Sequence, residues 1–321
     1  MPSLTLAHIS DLHIGPLPRA GLRALAGKRV TGFLSWRLKR SKIHRREVLD
    51  VLAADLAQQE PDHIAVTGDL VNIALPGEFI AARAFLTSIG TPDRVTVVPG
   101  NHDAYVSMPW PKAAGLWDAY MTGRHADGAD RAPRDVRDFP FVRRIGGVAL
   151  VGVSTALPTR PFSAAGELGA EQLKRLDAVL DELGEAGAFR VILIHHPPFG
   201  GGAYKRKSLR DAGALAEIIR RRGCELMLHG HTHMSLLGRM MGPGTSVPVI
   251  GVPSASAVAT DHRDPSRYHI YRLSRSERGT WTLTVSMREL KADGSGFAPI
   301  GEIVLLGETN PPAPSPSATA A

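Results

Sequence analysis

Short apolar runs and amphipathic stretches take turns along the first 230 or so residues of this chain, and that alternation restricts the fold more than any other feature. The runs 4–10, 63–67, 95–99, 148–154, 191–194 and 225–228 are rich in Val, Ile and Leu and nearly continuous, as strands buried on both faces are. Between them, 46–59, 78–89, 170–183 and 209–222 carry the three-to-four-residue apolar spacing of helices that cover one side of a sheet. After residue 234 the helical spacing stops. Runs 236–241, 247–252, 268–273 and 281–290 read as strands punctuated by Gly, Pro and Asp turns, and Gly146 and Gly147 mark a tight turn after 141–145. This order predicts an α/β fold of two sheets packed together with helices outside. A chain of 321 residues, 43% of them hydrophobic, is long enough to bury such a core.

Cys224 is the single cysteine, which excludes an intrachain disulfide and a cysteine-rich zinc site and suits a reducing compartment. The first polar motif begins at Asp11, leaving no room for a cleavable leader, and no stretch approaches the roughly 18 apolar residues of a spanning helix. The expected location is therefore the cytoplasm. The formal charge of +7 is unevenly spread: ten Lys or Arg and no acid fall between Arg19 and Arg46, leaving the rest of the chain net negative. Such a block attracts anionic surfaces or substrates.

Five motifs stand where expected strands end: Asp11-Leu12-His13, Gly68-Asp69, Gly100-Asn101-His102-Asp103, His195-His196-Pro197 and Gly230-His231-Thr232-His233. The carboxyl ends of strands are where sites form in open α/β sheets. Each motif offers oxygen or imidazole donors, a mixture suited to Mn, Fe, Co or Zn. On an extended segment, residues one apart face the same side, so Asp11 and His13, like His231 and His233, are expected to converge on one cluster. His195 and His196, being adjacent, point opposite ways, and chemistry alone does not choose between them. A single Asp-x-His or strand-end His is commonplace, but five such motifs in order are not. His8, His63 and His229 read as buried structural imidazoles, and Asp261, His262 and Asp264 as a solvated polar turn.

With these motifs the chain resembles the calcineurin-like metallophosphoesterase superfamily over about residues 4–290. The resemblance implies a four-layer α/β/β/α sandwich forming one catalytic domain over 1–308, with a basic insertion at about 16–46. The remaining 309–321 is a Pro/Ala/Ser tail expected to be disordered. It also implies two metal ions: Asp11, His13 and His233 on one, Asn101, His195 and His231 on the other, and Asp69 bridging. Two such cations roughly 3.5 to 4 Å apart neutralise phosphate oxygens and lower the pKa of a shared water. His102 is implied to stabilise or protonate the leaving oxygen, with Asp103 orienting it and keeping it cationic. The family's His-x-Pro pattern selects His195 as the ligand, leaving His196 as a supporting or substrate-facing residue.

The expected substrate is an anionic phosphate ester, first a small or lipid-derived phosphodiester. Nucleic acid is the alternative that the sequence pI of 9.8 favours, although the chain lacks the extra domain of Mre11-type nucleases. A lipid A pathway pyrophosphatase is a third reading, weakened because that branch shows Arg where this chain has His102. A binding scaffold, like the retromer subunit of this superfamily, normally lacks some ligands, and none is missing here. In the basic insertion, Val30, Phe33, Leu34, Trp36 and Leu38 interleave with Lys and Arg, as in a helix that lies on an anionic membrane. The equal alternative is a basic cap packed on its own domain. Lys205, Arg206, Lys207 and Arg210, after Gly200-Gly201-Gly202, read as a surface loop able to add a positive lid.

Overall fold

A computed structural model describes residues 3–199, 206–260 and 263–307. The expected tail, the glycine run 200–202, Lys205, Asp261 and His262 lie outside the described residues. Along the first part of the chain come β1 (Ser3–Ile9), α1 (Lys28–Ser35), α2 (Ser41–Ile43), α3 (Arg46–Gln59), β2 (His63–Val66), α4 (Pro76–Ile89) and β3 (Val95–Val97). Next are β4 (Gly123–His125), β5 (Asp130–Arg131), β6 (Phe141–Ile145), β7 (Val148–Gly152), α5 (Ala170–Glu185), β8 (Phe189–Leu193), α6 (Ala212–Arg222) and β9 (Leu226–His229). The last strands are β10 (Leu236–Met241), β11 (Ser246–Gly251), β12 (Arg267–Arg275), β13 (Trp281–Leu290) and β14 (Phe297–Leu306).

Two sheets result, ordered β14-β13-β12-β1-β2-β3 and β10-β11-β9-β8-β7-β6-β4-β5. β1, β2 and β3 are parallel, as are β7, β8, β9 and β11, so the carboxyl ends of the motif-bearing strands lie at one edge of each sheet. Side chains alternate along a strand, and β7 shows the consequence. Val148 and Leu150 join a core with Leu6 and Ile9 of β1, while Ala149 and Val151 pack with Leu176 and Leu180 of α5 and with Leu215 and Ile219 of α6. Val48, Leu49, Leu52 and Leu56 of α3, with Phe79, Ala82, Phe85 and Leu86 of α4, cover the first sheet from outside. The fold is thus a four-layer α/β/β/α sandwich.

Local chemistry sets the helix ends that matter to the site. α3 stops at Glu60, whose φ of 46° is left-handed. α4 opens with Pro76, and the buried Glu78 carboxylate accepts the backbone N–H groups of Leu75 (2.8 Å), Asn72 (2.6 Å) and Ile73 (3.2 Å). One side chain therefore caps α4 and fixes the loop that follows Asp69.

Some elements differ from the sequence expectation, the short β4 and β5 among them. The helix expected from 209 begins at Ala212, because Leu209 forms a β-bridge with Gly166. β14 was not expected: its middle residues are exposed, and Pro299 and Gly301 interrupt any strand-like pattern. The basic insertion is helical, in keeping with its interleaved apolar and basic residues, as α1, a π-helical turn over Trp36–Arg40, and α2.

Candidate metal centre

All five motifs meet at the carboxyl ends of β1, β2, β3, β8 and β9. The backbone there is not extended: φ is 53° at Asp11, 40° at His13, 56° at Asp69, 70° at His231 and 56° at His233. Left-handed φ at non-glycine residues costs energy and persists where the surroundings enforce it, commonly at functional sites. The expectation that Asp11 and His13, and His231 and His233, converge by spacing along an extended strand is thereby corrected. Each pair turns inward through paired left-handed residues, with buried Leu12 or half-buried Thr232 between them.

Two groups of donor atoms result. In the first, Nε2 of His233 lies 3.1 Å from Oδ1 of Asp11 and 3.2 Å from Nε2 of His13, which is itself 3.9 Å from Oδ2 of Asp69. In the second, Oδ1 of Asn101 lies 3.1 Å from Nε2 of His195 and 2.8 Å from Nδ1 of His231, and Nε2 of His195 lies 3.4 Å from Oδ2 of Asp69. Asp69 faces both groups. The outward ring nitrogens are anchored: Nδ1 of His13 on the Val71 carbonyl (3.2 Å), Nδ1 of His195 on the Thr67 carbonyl (2.7 Å), and Nε2 of His231 on the Lys207 carbonyl (2.8 Å). Anchoring one nitrogen on a carbonyl aims the other inward, the arrangement that metal-binding histidines adopt. Oδ1 of Asp11 is buried with only the His233 ring nitrogen, at 3.1 Å, beside it, so its charge is incompletely compensated and a cation relieves that cost. The residues present therefore fit a pair of cations with mixed oxygen and nitrogen donors.

Close approach of the motifs requires two glycines. A Cβ on Gly100 would collide with the Asp69 carboxylate, and one on Gly230 with Ser10 Oγ and Asp11 Oδ2. Electrostatics follow the same contacts. Burial opposes the charge on His195, but the Asp69 carboxylate beside it pushes its pKa up to about 9.

Three sequence expectations are corrected here. Asp103 does not reach His102: its carboxylate accepts backbone N–H groups from Asp69 (2.9 Å), Leu70 (2.9 Å), Val71 (3.1 Å) and Gly100 (2.8 Å), tying together the loops after β2 and β3. The carbonyl of Asn72 orients His102 instead, through Nδ1 at 2.5 Å. His102 is not held cationic, because burial and then the charge of Arg40 lower its pKa to about 3. His196 does not face a substrate: it is fully buried, Nδ1 pairs with Thr155 Oγ1 (2.7 Å), Nε2 with the Ala164 carbonyl (3.0 Å), and its ring packs 4.4 Å from that of His231. His8, His63 and His229 are buried imidazoles, each hydrogen-bonded, and belong to neither donor group.

Two residues escaped the sequence reading. Arg40, from the basic insertion, places its guanidinium between the rings of His13 (2.9 and 3.1 Å to Nδ1 and Nε2) and His102 (3.3 and 3.2 Å). Near-equal distances to both nitrogens of each ring mean that the cation packs on the rings rather than donating along one lone pair. His44, four residues on, lies with its ring centroid 4.6 Å from that of His13 and 5.4 Å from that of His233. Both sit inside a run of positive charge, where no motif sets them apart.

The family model described as calcineurin-like phosphoesterase matches residues 4–235. The chain belongs to the calcineurin-like phosphoesterase family. It is 25% identical to a probable cyclic nucleotide phosphodiesterase of Synechococcus sp., over 73% of this chain and 75% of that one. It is 26% identical to a cAMP/cGMP dual specificity phosphodiesterase of Mycobacterium tuberculosis, over 81% of this chain and 68% of the relative. Among solved structures, a dimetal phosphatase from Danio rerio shares the fold, with a TM-score of 0.58 at 14% identity, covering 94% of this chain and 98% of that one. Like other calcineurin-like phosphoesterases, this chain is a phosphoric ester hydrolase, and its His and Asp clusters fit a dinuclear metal site.

Proposed function

We propose that this phosphoesterase hydrolyses a small or lipid-derived phosphodiester, with Asp11, His13 and His233 holding one cation, Asn101, His195 and His231 the other, and Asp69 bridging. The observation that carries this reading is the convergence of those seven side chains, drawn from five strand ends, on two adjoining donor groups. When bound, the two cations, drawn from Mn, Fe, Zn or Co, supply charge neutralisation for the phosphoryl oxygens and acidify a water. Asp69 sets their spacing. Arg40 adds a positive charge at the mouth, where an anionic ester enters. His102 is fixed through Nδ1 on the Asn72 carbonyl, with Arg40 packed on its ring, which leaves Nε2 free to act on substrate. An anionic phosphoryl group beside this ring offsets the field of Arg40 and favours its protonated form, from which Nε2–H passes to the leaving oxygen. The names of the relatives support a cyclic nucleotide as the first small diester to try.

One surface favours the lipid-derived class. Val30, Leu34 and Leu38 are exposed at 46%, 51% and 67%, spaced one helical turn apart on α1 and the turn after it, and Arg37, Lys39 and Lys42 flank them. Apolar side chains rimmed by cations are what a helix resting on anionic lipid presents. Among the described residues no helix is long and apolar enough to cross a membrane, so contact of this kind is peripheral. This reading places the protein in the cytoplasm, against the inner face of the membrane.

The test compares 3′,5′-cyclic nucleotide, a glycerophosphodiester and a single-stranded oligonucleotide as substrates, with and without vesicles of anionic phospholipid at low salt. Turnover of one of the two small diesters, with the oligonucleotide uncut, supports the proposal. Preferential cutting of the oligonucleotide would replace it with a nuclease.

A further inference from the structure

His44 has the features of a metal-binding histidine and belongs to none of the five motifs. Its side chain is 5% exposed, and Nε2 is buried with no hydrogen-bond partner. Nδ1, on the other side of the ring, is held by Ser256 Oγ at 2.9 Å and Ser254 Oγ at 3.2 Å. Ser254 Oγ in turn donates to the Asp11 carbonyl at 2.6 Å, so the support of His44 is coupled to the backbone of the first motif. The main chain is pinned as well: Arg45 N–H donates to the Ser256 carbonyl (2.9 Å), Val258 N–H to the Ile43 carbonyl (2.9 Å), and His44 forms a bridge with Ala257. The insertion is therefore stitched to the loop after β11 at the residue where it meets the centre. One donor atom each from His13, His44 and His233 lie within 4.8 Å of one another, a separation that a single cation spans.

A buried imidazole nitrogen without a partner costs free energy of the same order as a lost hydrogen bond. Here that nitrogen belongs to one cluster with the rings of His13 and His233, whose Nε2 atoms pair with each other at 3.2 Å and leave it without a partner. A shared cation supplies one. We propose that His44 is a fifth imidazole of the centre, donating Nε2 to the cation held by Asp11, His13 and His233. The inference rests on the dinuclear reading above and goes beyond it in two respects. It makes the basic insertion part of the metal site, and it gives that site three nitrogens, which favours nitrogen-preferring first-row cations such as Co²⁺ or Zn²⁺ over Mn²⁺.

Calorimetric and spectrophotometric titration of the full chain with Co²⁺ tests it, comparing the intact protein with His44→Ala and His44→Gln. The expected result is two binding events in the intact protein and, in the variants, one event weakened at least about tenfold with an altered visible absorption, the other unchanged. Folded variants that bind both equivalents with unchanged affinity and absorption would overturn the assignment. Should neither variant fold, the intact protein loaded with ¹¹³Cd²⁺ decides, by the number of imidazole nitrogens that show cadmium coupling. Five supports the assignment and four overturns it, the four being those of His13, His195, His231 and His233. Uptake of no Co²⁺ or Cd²⁺ by the intact protein would overturn the dinuclear reading itself, and His44 with it.

Discussion

The Oδ2 of Asp11 accepts the backbone N–H of His231 at 2.8 Å, joining the first motif of the chain to the last across 220 residues. The centre is thus built by backbone-to-side-chain clamps as much as by donor groups. Gly230 sits at this clamp with no room for a side chain. Gly230→Ala is expected to force the His231 turn off Ser10 and Asp11, lowering stability by about 1–3 kcal/mol and releasing bound metal. Chemical denaturation together with elemental analysis of the purified variant checks both.

The position of His102 predicts an effect that depends on the leaving group. His102→Ala should slow hydrolysis of esters with alkoxide leaving groups about 10²–10⁴-fold, while bis(p-nitrophenyl) phosphate, whose leaving group needs no proton, should lose much less. Initial rates on an alkyl and a nitrophenyl diester measure the difference. Equal losses on both would remove His102 from proton transfer.

Metal binding should release protons. His195, with Asp69 at 3.4 Å, has its pKa raised to about 9, so it carries a proton at neutral pH that a bound cation must displace. The raised value places that proton on the protein below pH 9 and off it above. Apparent affinity should therefore climb with pH throughout the range below about 9 and level off beyond. Calorimetric titration with Mn²⁺ in buffers of different ionisation enthalpy reports the proton count, and an affinity independent of pH across that window would contradict the assignment.

Stability and the centre are separable in this fold. Asp55 of α3 is buried against Arg288 of β13 (Nε to Oδ2 and Nη2 to Oδ1, both 2.7 Å) and also accepts the hydroxyl of Tyr268 from β12. Asp55→Ala leaves the guanidinium without its partner and should cost about 3 kcal/mol, with metal content unchanged under native conditions. Urea denaturation and elemental analysis of that variant distinguish this from a role in the site.

Much of this could be read from residues alone, for physical reasons that also mark the boundary. β1, β2, β8 and β9 are buried on both faces, so continuous apolar runs betray them, and the motifs at their carboxyl ends contain residue types that strand ends rarely combine. β14 is an edge strand with exposed central residues, so burial left no periodic imprint on it. The left-handed turns at Asp11, His13, His231 and His233 have no signature in residues that usually avoid that conformation. Asp103 looked like a partner for the His beside it, yet four backbone amides claim it first. Arg40 and His44 were hidden by composition: within a run of Lys and Arg, one more cation and one more imidazole carry no contrast. Their roles depend on the packing of the insertion against the loop after β11.

The measurement that most directly tests the account is the rate of bis(p-nitrophenyl) phosphate hydrolysis plotted against Mn²⁺ bound per chain, for the intact protein and for Asn101→Ala. The account predicts that turnover rises steeply only as the second equivalent binds, and that Asn101→Ala, retaining one equivalent, stays near the rate of the singly loaded protein. Full turnover with a single bound cation, or an Asn101→Ala variant as active as the intact chain, would contradict it.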